Sequence, residues 1–285
     1  MTRTALLVAH PSRPEALTAA REAEVALAAA GFAVRSDADG ITAAELADVE
    51  VAVVLGGDGT ILRTAQLTRG TNVPILGVNL GHVGFLAESE REDISAAAAR
   101  LAARDYEVEE RGTLDVTIHQ NGTEVARDWA LNETTVEKAN PGRMLEVAVE
   151  VDGRPLSAFG CDGVVMATST GSTAHAFSAG GPVVWPDVDA MLLVPVSAHA
   201  LFARPLVVGP GSVLAVEILA RSATAGTMSC DGARGRELPV GTRVEVRRSP
   251  VPVRLARLSP APFTDRLVGK FSLPVAGWRG RPQEG

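Results

Sequence analysis

Cysteine is scarce in this sequence. Only Cys161 and Cys230 occur among its 285 residues, so the chain could form at most one internal disulfide bond. Small secreted domains that depend on disulfides carry several. A hydrophobic content of 46% supplies enough apolar side chains for an ordinary core. We therefore expect a protein that folds without disulfides in a reducing compartment, namely the cytoplasm.

Long hydrophobic runs are also missing. No stretch approaches the roughly 20 consecutive apolar residues that a membrane-spanning helix requires. The first residues do not form the apolar core of a secretion signal, because Pro11, Arg13 and Pro14 interrupt them. We expect no association with a membrane.

Basic residues are in the minority. The chain has 27 Lys and Arg residues against 34 Asp and Glu residues, which gives a formal net charge of −7. Proteins that bind nucleic acid through a broad surface have the opposite balance, so no nucleic-acid partner is expected. The five histidines show none of the spacings typical of metal ligands, and we expect no metal ion caged by protein side chains.

The first third of the chain alternates strand and helix patterns. The short apolar runs TALLVAH, VAVVLGG and VPILGVNLG predict buried strands, and SRPEALTAAREAEVALAAAG and TILRTAQLTRG predict helices between them. Ser12 and Glu15 stand at the spacing of a capping box, and Gly31 is the expected end of the first helix. This alternation predicts an α/β domain with a parallel sheet, whose ligands bind at the carboxyl ends of the strands.

The pattern changes after residue 111. Asn121-Gly122 and Asp152-Gly153 each separate two runs of alternating hydrophobicity, which is typical of β-hairpins. We predict an α/β domain over residues 1–111 and a mostly antiparallel, β-rich domain over residues 112–258. The tail, residues 259–285, is predicted to form a helix that returns to the first domain.

The stretch VVLGGDGTILRTA ends an apolar strand with glycines on both sides of one carboxylate. The glycines allow backbone amides to approach an anion closely, and a helix that begins near Thr60 directs its positive N-terminus to the same place. The sequence has no Gly-Lys-Ser/Thr of a Walker loop, and GVNLGHVG lacks the spacing of a dinucleotide fingerprint. We interpret the stretch as a different polyphosphate-binding loop. Its candidate contacts are Gly56, Gly57, Asp58, Gly59, Thr60 and Arg63.

Three roles are open for Asp58 from the residues alone. It could accept a proton from an attacking hydroxyl, or help to position magnesium on the phosphates. It could also be a turn aspartate that hydrogen-bonds to its own backbone.

Two later segments combine polar side chains with buried strand patterns. In ALNETTVEK, Asn132 and Glu133 interrupt an apolar run, either as ligand-binding groups or as a polar pair that faces solvent. In GCDGVVMATSTGSTAHAFSAGGPVVWP, small hydroxyl residues and glycines offer many hydrogen-bond groups with little bulk, as a nucleotide site needs. His175 lies in this segment, as a candidate contact or as a structural residue.

Together these motifs resemble the NAD kinases. GGDGT is also found in lipid kinases and phosphofructokinases, but the remaining segments are more specific. GVNLGHVGFLAE, LNE, DGVVMATSTGSTAHAFSAGGPVVWP, SAHALFARPLVV and SCDG are similar to NAD kinase segments in the same order. The resemblance covers nearly the whole chain and is greatest to actinobacterial members.

The resemblance implies a two-domain, NAD kinase-like fold and a specific reaction. A phosphoryl group would pass from ATP or inorganic polyphosphate to the 2′-hydroxyl of the adenosine ribose of NAD, and of NADH as well, to give NADP or its reduced form. Mg²⁺ or another divalent cation would be carried on the phosphate donor. The β-rich domain would bind NAD and mediate assembly of a homodimer or homotetramer in the cytoplasm.

The resemblance also implies roles for individual residues. Asp58 matches the aspartate that activates the 2′-hydroxyl, and Gly160 lies where a small residue accompanies use of NADH. Asp162 matches a residue that reaches across a subunit boundary. The positions matched to NAD contacts are Asp58, Gly59, Phe85, Asn132, Glu133, Gly160, Asp162, Thr173, Ala174, His175 and Ser178. Ser169 and His175 depart from the family pattern, which has proline and tyrosine there.

Two alternatives remain from the sequence. A lipid kinase of the diacylglycerol or sphingosine type would share GGDGT and the two-domain plan. A non-catalytic NAD sensor would keep the contacts of the β-rich domain and would tolerate loss of Asp58, which is present here.

Overall fold

The computed structural model describes residues 3–37, 40–81, 84–259 and 262–275. The chain divides into two compact units. The N-terminal unit comprises Met1–Glu110 and Val253–Gly285, and the β unit comprises Arg111–Pro252. No helix within these described ranges is long and apolar enough to cross a membrane.

The N-terminal unit begins with alternating strands and helices, as the sequence predicts. They are β1 (Arg3–Ala9), α1 (Pro14–Ala29), β2 (Phe32–Ser36), β3 (Val49–Leu55), α2 (Asp58–Thr68), β4 (Ile75–Asn79), β5 (Ser89–Glu90) and α3 (Ile94–Ala103). Short 3-10 turns lie at Ala43–Leu46 and Arg91–Asp93.

The β unit consists almost entirely of strands. They are β6 (Glu107–Gln120), β7 (Thr123–Ala130), β8 (Glu133–Lys138), β9 (Leu145–Val151), β10 (Arg154–Cys161), β11 (Gly163–Thr168), β12 (Met191–Val196), β13 (Leu206–Val208), β14 (Val213–Ile218), β15 (Gly226–Cys230), β16 (Arg234–Leu238) and β17 (Thr242–Arg257). A 3-10 turn at Thr170–Thr173 and the one-turn helix α4 (His175–Ser178) follow β11. The last helix, α5 (Phe263–Phe271), belongs to the N-terminal unit.

The sheet of the N-terminal unit is parallel. Strands β4, β3, β1 and β2 lie in that order, and Leu255 near the end of β17 pairs with Ile75 of β4. Residues 253–258, which the sequence assigned to the β-rich domain, belong to the N-terminal unit in the structure. The expected α/β architecture is confirmed, and the carboxyl end of β3 leads directly into α2.

Helices cover both faces of this sheet. Leu76 and Val78 of β4 share one apolar cluster with Leu27 of α1 and Leu101 of α3. Because strand residues alternate between faces, Gly77 lies on the other face. A Cβ at Gly77 would lie 2.5 Å from Cδ1 of Ile61, which places α2 on that face.

The start of α1 differs from the prediction. The helix begins at Pro14, and Arg13 is the N-cap residue without a side-chain cap hydrogen bond. Proline suits the first helical position because its missing N–H would have no partner there. Ser12 therefore lies outside the helix, and the predicted capping box does not form. Gly31 follows the helix end with a φ of 92°, as expected for a glycine after a C-cap.

The β unit contains two antiparallel sheets, and residues of both contribute to one large apolar cluster. One sheet has the order β13-β12-β11-β8-β15-β16, and the other includes β10, β9, β14 and β17. The predicted turns at Asn121-Gly122 and Asp152-Gly153 join β6 to β7 and β9 to β10. All four turn residues have positive φ, as two-residue hairpins require.

Candidate active site

The glycine loop lies between β3 and α2. The N–H of Gly56 donates to the carbonyl of Val78 at 3.1 Å, and the N–H groups of Thr60 and Ile61 donate to the carbonyl of Gly57. A Cβ at Gly56 would lie 2.5 Å from Oγ1 of Thr60, so a larger residue would displace the loop. The helix begins at Asp58, two residues before the expected start, and the carboxylate lies within its first turn.

A cavity of about 340 Å³ opens beside this loop. Its lining residues are His10, Pro11, Arg13, Gly57, Gly59, Thr60 and Arg63. Because the positive end of α2 and two arginines contribute to the lining, the cavity favours an anionic ligand. The loop and Arg63 were predicted from the sequence, whereas His10 and Arg13, which lie in a separate segment after β1, were not.

Arg63 has protein partners in this arrangement. Its Nη2 donates to the carbonyl of Ala9 at 2.9 Å and lies 2.9 Å from Oδ2 of Asp37. The side chain is 45% exposed. These contacts hold the guanidinium at the edge of the cavity. A contact between Arg63 and a phosphate group stays a prediction.

Asp58 is held by backbone groups from a distant segment. The N–H of Phe85 donates to Oδ2 and the N–H of Leu86 donates to Oδ1, each at 3.1 Å. A Cβ at Gly84 would lie 2.6 Å from Oδ1, so the segment approaches closely only because that residue is glycine. Each carboxylate oxygen keeps a lone pair for a further partner.

The ring of Phe85 lies inside the N-terminal unit. Its centroid is 5.9 Å from those of both Phe263 and Phe271 in α5, and the residue is 8% exposed. In this structure the backbone of Phe85, rather than its ring, contacts a candidate catalytic group.

A second group of candidate residues lies in the β unit, around the start of β8. Asn132 and Glu133 are both buried, at 7% and 6% exposure, so the interpretation as a solvent-facing pair does not hold. Asn132 immediately precedes β8, and Glu133 is its first residue. The irregular backbone before the strand therefore allows both side chains to be buried.

Asp231 fixes this backbone. Its carboxylate accepts hydrogen bonds from the N–H of Leu131 at 3.0 Å and of Asn132 at 2.8 Å, and its own N–H donates to the carbonyl of Glu133 at 2.9 Å. Arg234 contacts the same carboxylate at 3.3 Å. The role of Asp231 was not predicted from the sequence, although the Asp-Gly pair in SCDG is typical of a turn such as the one between β15 and β16.

The surroundings of Glu133 disfavour a negative charge on its side chain. Burial, together with the neighbouring carboxylate of Asp231, raises the pKa of Glu133 to about 7, although the N–H of His175 donates to it. Its Oε2 atom is buried and has no hydrogen-bond partner among the described residues. Such an unpaired acceptor costs free energy unless a ligand donor satisfies it.

The segment after β11 packs closely against Asn132. A Cβ at Gly171 would lie 2.1 Å from the carbonyl oxygen of Asn132, and the hydroxyl of Thr168 donates to the carbonyl of Leu131 at 2.6 Å. The turn then continues through Thr173 and Ala174 to α4, which ends at Ser178. Thr173 and Ala174 are partly buried, whereas His175 and Ser178 are exposed, so these four candidate residues lie at the surface near the buried pair.

The two departures from the family pattern have different surroundings. The hydroxyl of Ser169 is buried and donates to the carbonyl of Val188, a contact that proline could not make. Its φ of −58° would nevertheless suit proline. The imidazole of His175 is 42% exposed, with Nε2 3.8 Å from Oε1 of Glu137.

Gly160 and Asp162 lie away from Glu133. Glu133 pairs with Ala167 at one end of β11, whereas Asp162 precedes the other end, where Gly163 pairs with Glu137. Lys138 donates to Asp162 at 2.5 Å, and the hydrogen bond from Lys138, with a second from Ser197, lowers the pKa of Asp162. A Cβ at Gly160 would lie 2.0 Å from Sδ of Met144, so any side chain there must displace Met144.

Comparison with protein families decides between the alternatives. The ATP-NAD kinase N-terminal domain matches residues 35–106, and the ATP-NAD kinase C-terminal domain matches residues 131–258. The chain belongs to the NAD kinase family. The resemblance inferred from the motifs is confirmed, and neither the lipid kinase nor the non-catalytic sensor receives support.

Relatives and solved structures of NAD kinases agree with this assignment. The chain is 57% identical to the NAD kinase of Thermobifida fusca, over 99% of this chain and 93% of the relative. It is 66% identical to the NAD kinase of Leifsonia xyli subsp. xyli, over 82% and 77% of the two chains.

Two solved structures share the fold. The NAD kinase from Archaeoglobus fulgidus in complex with ATP matches with a TM-score of 0.75 and 28% identity, over 95% of this chain and 98% of that one. Yeast NADH kinase complexed with NADH matches with a TM-score of 0.87 and 20% identity, over 98% and 90%. The predicted two-domain NAD kinase fold is confirmed.

Proposed function

We propose that this member of the NAD kinase family transfers a phosphoryl group from ATP to the 2′-hydroxyl of the adenosine ribose of NAD, with Asp58 as the base. The surroundings of the Asp58 carboxylate are the observation that supports its role as the base. A half-buried carboxylate lies in the first turn of α2, each oxygen is oriented by one backbone amide, and the adjacent Gly57 and Gly59 line an anion-favouring cavity.

The chemical step needs one proton acceptor. As the 2′-oxygen attacks the terminal phosphorus, its proton passes to Asp58, a new P–O bond forms, and the bond between that phosphorus and ADP breaks. The amides of Phe85 and Leu86 hold the carboxylate so that its free lone pairs can face the hydroxyl. Since phosphoryl transfer depends mainly on alignment and charge neutralisation, few other catalytic side chains are required.

The donor would lie with its phosphates against the glycine loop. The amides at the start of α2 would donate to phosphate oxygens, and Arg13 and Arg63 would add positive charge at the cavity edge. ATP is the favoured donor, because the related kinase from Archaeoglobus fulgidus was crystallised with it. Inorganic polyphosphate offers the same chemistry to the loop and is the second donor that we propose to test.

Magnesium would accompany the donor rather than occupy a site built from protein. No group of three or more His, Cys, Asp or Glu side chains is placed to hold a metal ion within the described ranges. Bound to donor phosphates, Mg²⁺ would neutralise their charge during transfer.

NAD would be recognised by the β unit. The unpaired Oε2 of Glu133 is a suitable acceptor for a ribose hydroxyl, and the buried Asn132 beside it offers an amide. The matched surface positions Thr173, Ala174, His175 and Ser178 would complete the contacts. Gly160, with no side chain, supports acceptance of NADH as well as NAD.

The position of Asp162 is an argument for a protein made of several copies of this chain. Lys138 lies five positions after Glu133 along β8, a distance of about 17 Å. Asp162 contacts Lys138, so it lies too far along the strand to share a ligand group with Glu133 of its own chain. We propose a cytoplasmic homodimer or homotetramer in which Asp162 serves the site of another copy.

The reaction is tested with purified protein and Mg²⁺ in four mixtures, in which either NAD or NADH is combined with either ATP or polyphosphate. NADP formation, followed by chromatography together with ADP, is expected with NAD and ATP. Absence of NADP with both donors would contradict the proposed function.

Assembly is tested by mixing two inactive variants, Asp58→Asn and Asp162→Ala, after dissociation and reassembly. If Asp162 acts across a boundary, mixed oligomers contain sites with both native residues, and activity returns. If the mixed variants stay inactive, Asp162 acts in the site of its own chain.

A further inference from the structure

The segment that holds Asp58 is itself held by residues from the end of the chain. Arg266 of α5 donates through Nη1 to the carbonyl of Phe85 at 3.3 Å and of Ala87 at 2.6 Å. Through Nη2 it donates to Glu88 at 2.5 Å. The guanidinium therefore contacts one carboxylate and two carbonyls of the same short segment.

One of these carbonyls belongs to a peptide group that contacts Asp58. The carbonyl of Phe85 and the N–H of Leu86 are the two ends of a single planar peptide unit. Arg266 binds the oxygen end at 3.3 Å, and the hydrogen end donates to Oδ1 of Asp58 at 3.1 Å. Because the unit is rigid, the guanidinium restricts the direction of the N–H. A cation at the carbonyl also polarises the amide and strengthens its donation.

Glu88 anchors the arrangement. Its side chain is 1% exposed, and it pairs with Arg266 and with Arg257, which lies 3.1 Å away. It also accepts the N–H groups of Leu258 and Ser259. The two arginines are 14% and 10% exposed, so the cluster lies largely out of solvent, where ion pairs are weakly screened.

We propose that Arg266 is a positioning residue for the transfer reaction: it orients the peptide unit between Phe85 and Leu86 and thereby the carboxylate of Asp58. It touches neither substrate in this scheme and acts only through that peptide unit. The inference rests on the proposed role of Asp58 as the base.

A chemically matched arginine is available as a control. Arg3 pairs with Glu50 and donates to the carbonyls of Leu101 and Ala102. Like Arg266, it binds one carboxylate and two backbone carbonyls within the N-terminal unit. Its partners do not contact Asp58.

The test compares Arg266→Met with Arg3→Met for melting temperature, kcat and the KM for NAD. Both should lower the melting temperature. Arg266→Met should reduce kcat about tenfold with KM within about twofold, because a displaced base slows chemistry more than binding. Arg3→Met should keep kcat within about twofold. Equal kcat values for the two variants would overturn the proposal.

Combination with Asp58→Asn distinguishes positioning from a general loss of structure. If Arg266 acts through the carboxylate, Arg266→Met should have little further effect on kcat once Asp58 is asparagine. A tenfold loss in both backgrounds would overturn the inference but leave the role of Asp58 intact. Full activity of Asp58→Asn alone would instead refute the proposed function on which the inference rests.

Arg266→Lys provides the measurement if the methionine variant does not fold. Lysine keeps the charge beside Glu88 but cannot bind the carboxylate and both carbonyls in one plane. We expect the kcat of Arg266→Lys to lie between those of the native protein and of Arg266→Met. If Arg266→Met does not fold, the expected kcat of Arg266→Lys is about threefold below the native value. A native kcat in Arg266→Lys would contradict the positioning role.

Discussion

Replacement of Glu133 by glutamine should stabilise the protein at neutral pH and above. The native carboxyl is buried beside Asp231, and its pKa is raised from 4.5 to about 7. Below pH 4.5 it is protonated in both the folded and the unfolded chain. As the pH rises towards 7 the unfolded chain ionises first, so this residue contributes progressively less to folding stability.

The size of the effect follows from the pKa shift. A difference of about 2.5 pH units at about 1.4 kcal/mol per unit gives on the order of 3 kcal/mol above pH 7. Glutamine has nearly the same shape and cannot ionise, so the free energy of unfolding of the variant should exceed that of the native protein by this order at pH 8. Near pH 4.5 the two proteins should be nearly equal.

Urea unfolding of both proteins at pH 4.5, 6 and 8 measures the difference directly. Glu237→Gln, at an exposed position on β16 of the same sheet, is the control for a glutamate-to-glutamine exchange at the surface. A constant difference for Glu133→Gln across the three pH values would refute the assignment of a raised pKa to Glu133.

Five further substitutions test the NAD contacts and the departures from the family pattern. Asn132→Ala and Glu133→Ala should each weaken NAD binding by about 1–3 kcal/mol in calorimetry, and unchanged affinity in both would remove the pair from the site. His175→Tyr should lower the KM for NAD roughly two- to tenfold with kcat within a few-fold, because tyrosine offers a larger aromatic face, whereas an identical KM would place the ring outside the contact. Ser169→Pro should change the free energy of unfolding by less than about 1 kcal/mol, since loss of the hydrogen bond to Val188 is offset by the fixed φ. Ser169→Ala, which lacks that offset, should be the less stable of the two, and the reverse order of their urea midpoints would contradict this account.

The parts of the fold that were predictable have local signals. The loop between β3 and α2 is marked by glycines after an apolar run, and the hairpins at Asn121-Gly122 and Asp152-Gly153 are marked by residues that tolerate positive φ. The predicted capping box at Ser12 does not form because the helix begins at Pro14, two residues further on, with Arg13 as the N-cap residue.

The surroundings of the candidate groups were not predictable in the same way. Asp58 is held by backbone amides 27 and 28 residues away, and Asn132 by a carboxylate 99 residues away. The sequence does not reveal which backbone N–H groups will contact a side chain, because every residue except proline has one. Only the fold shows that Arg266 reaches the same segment.

The turnover of Asp58→Asn tests the central claim most directly. Asparagine keeps the size of the side chain but cannot accept the proton of the 2′-hydroxyl. NADP formation should fall roughly 10²- to 10⁴-fold, while calorimetry shows NAD binding largely retained. Turnover near the native rate in this folded variant would contradict the claim that Asp58 is the base.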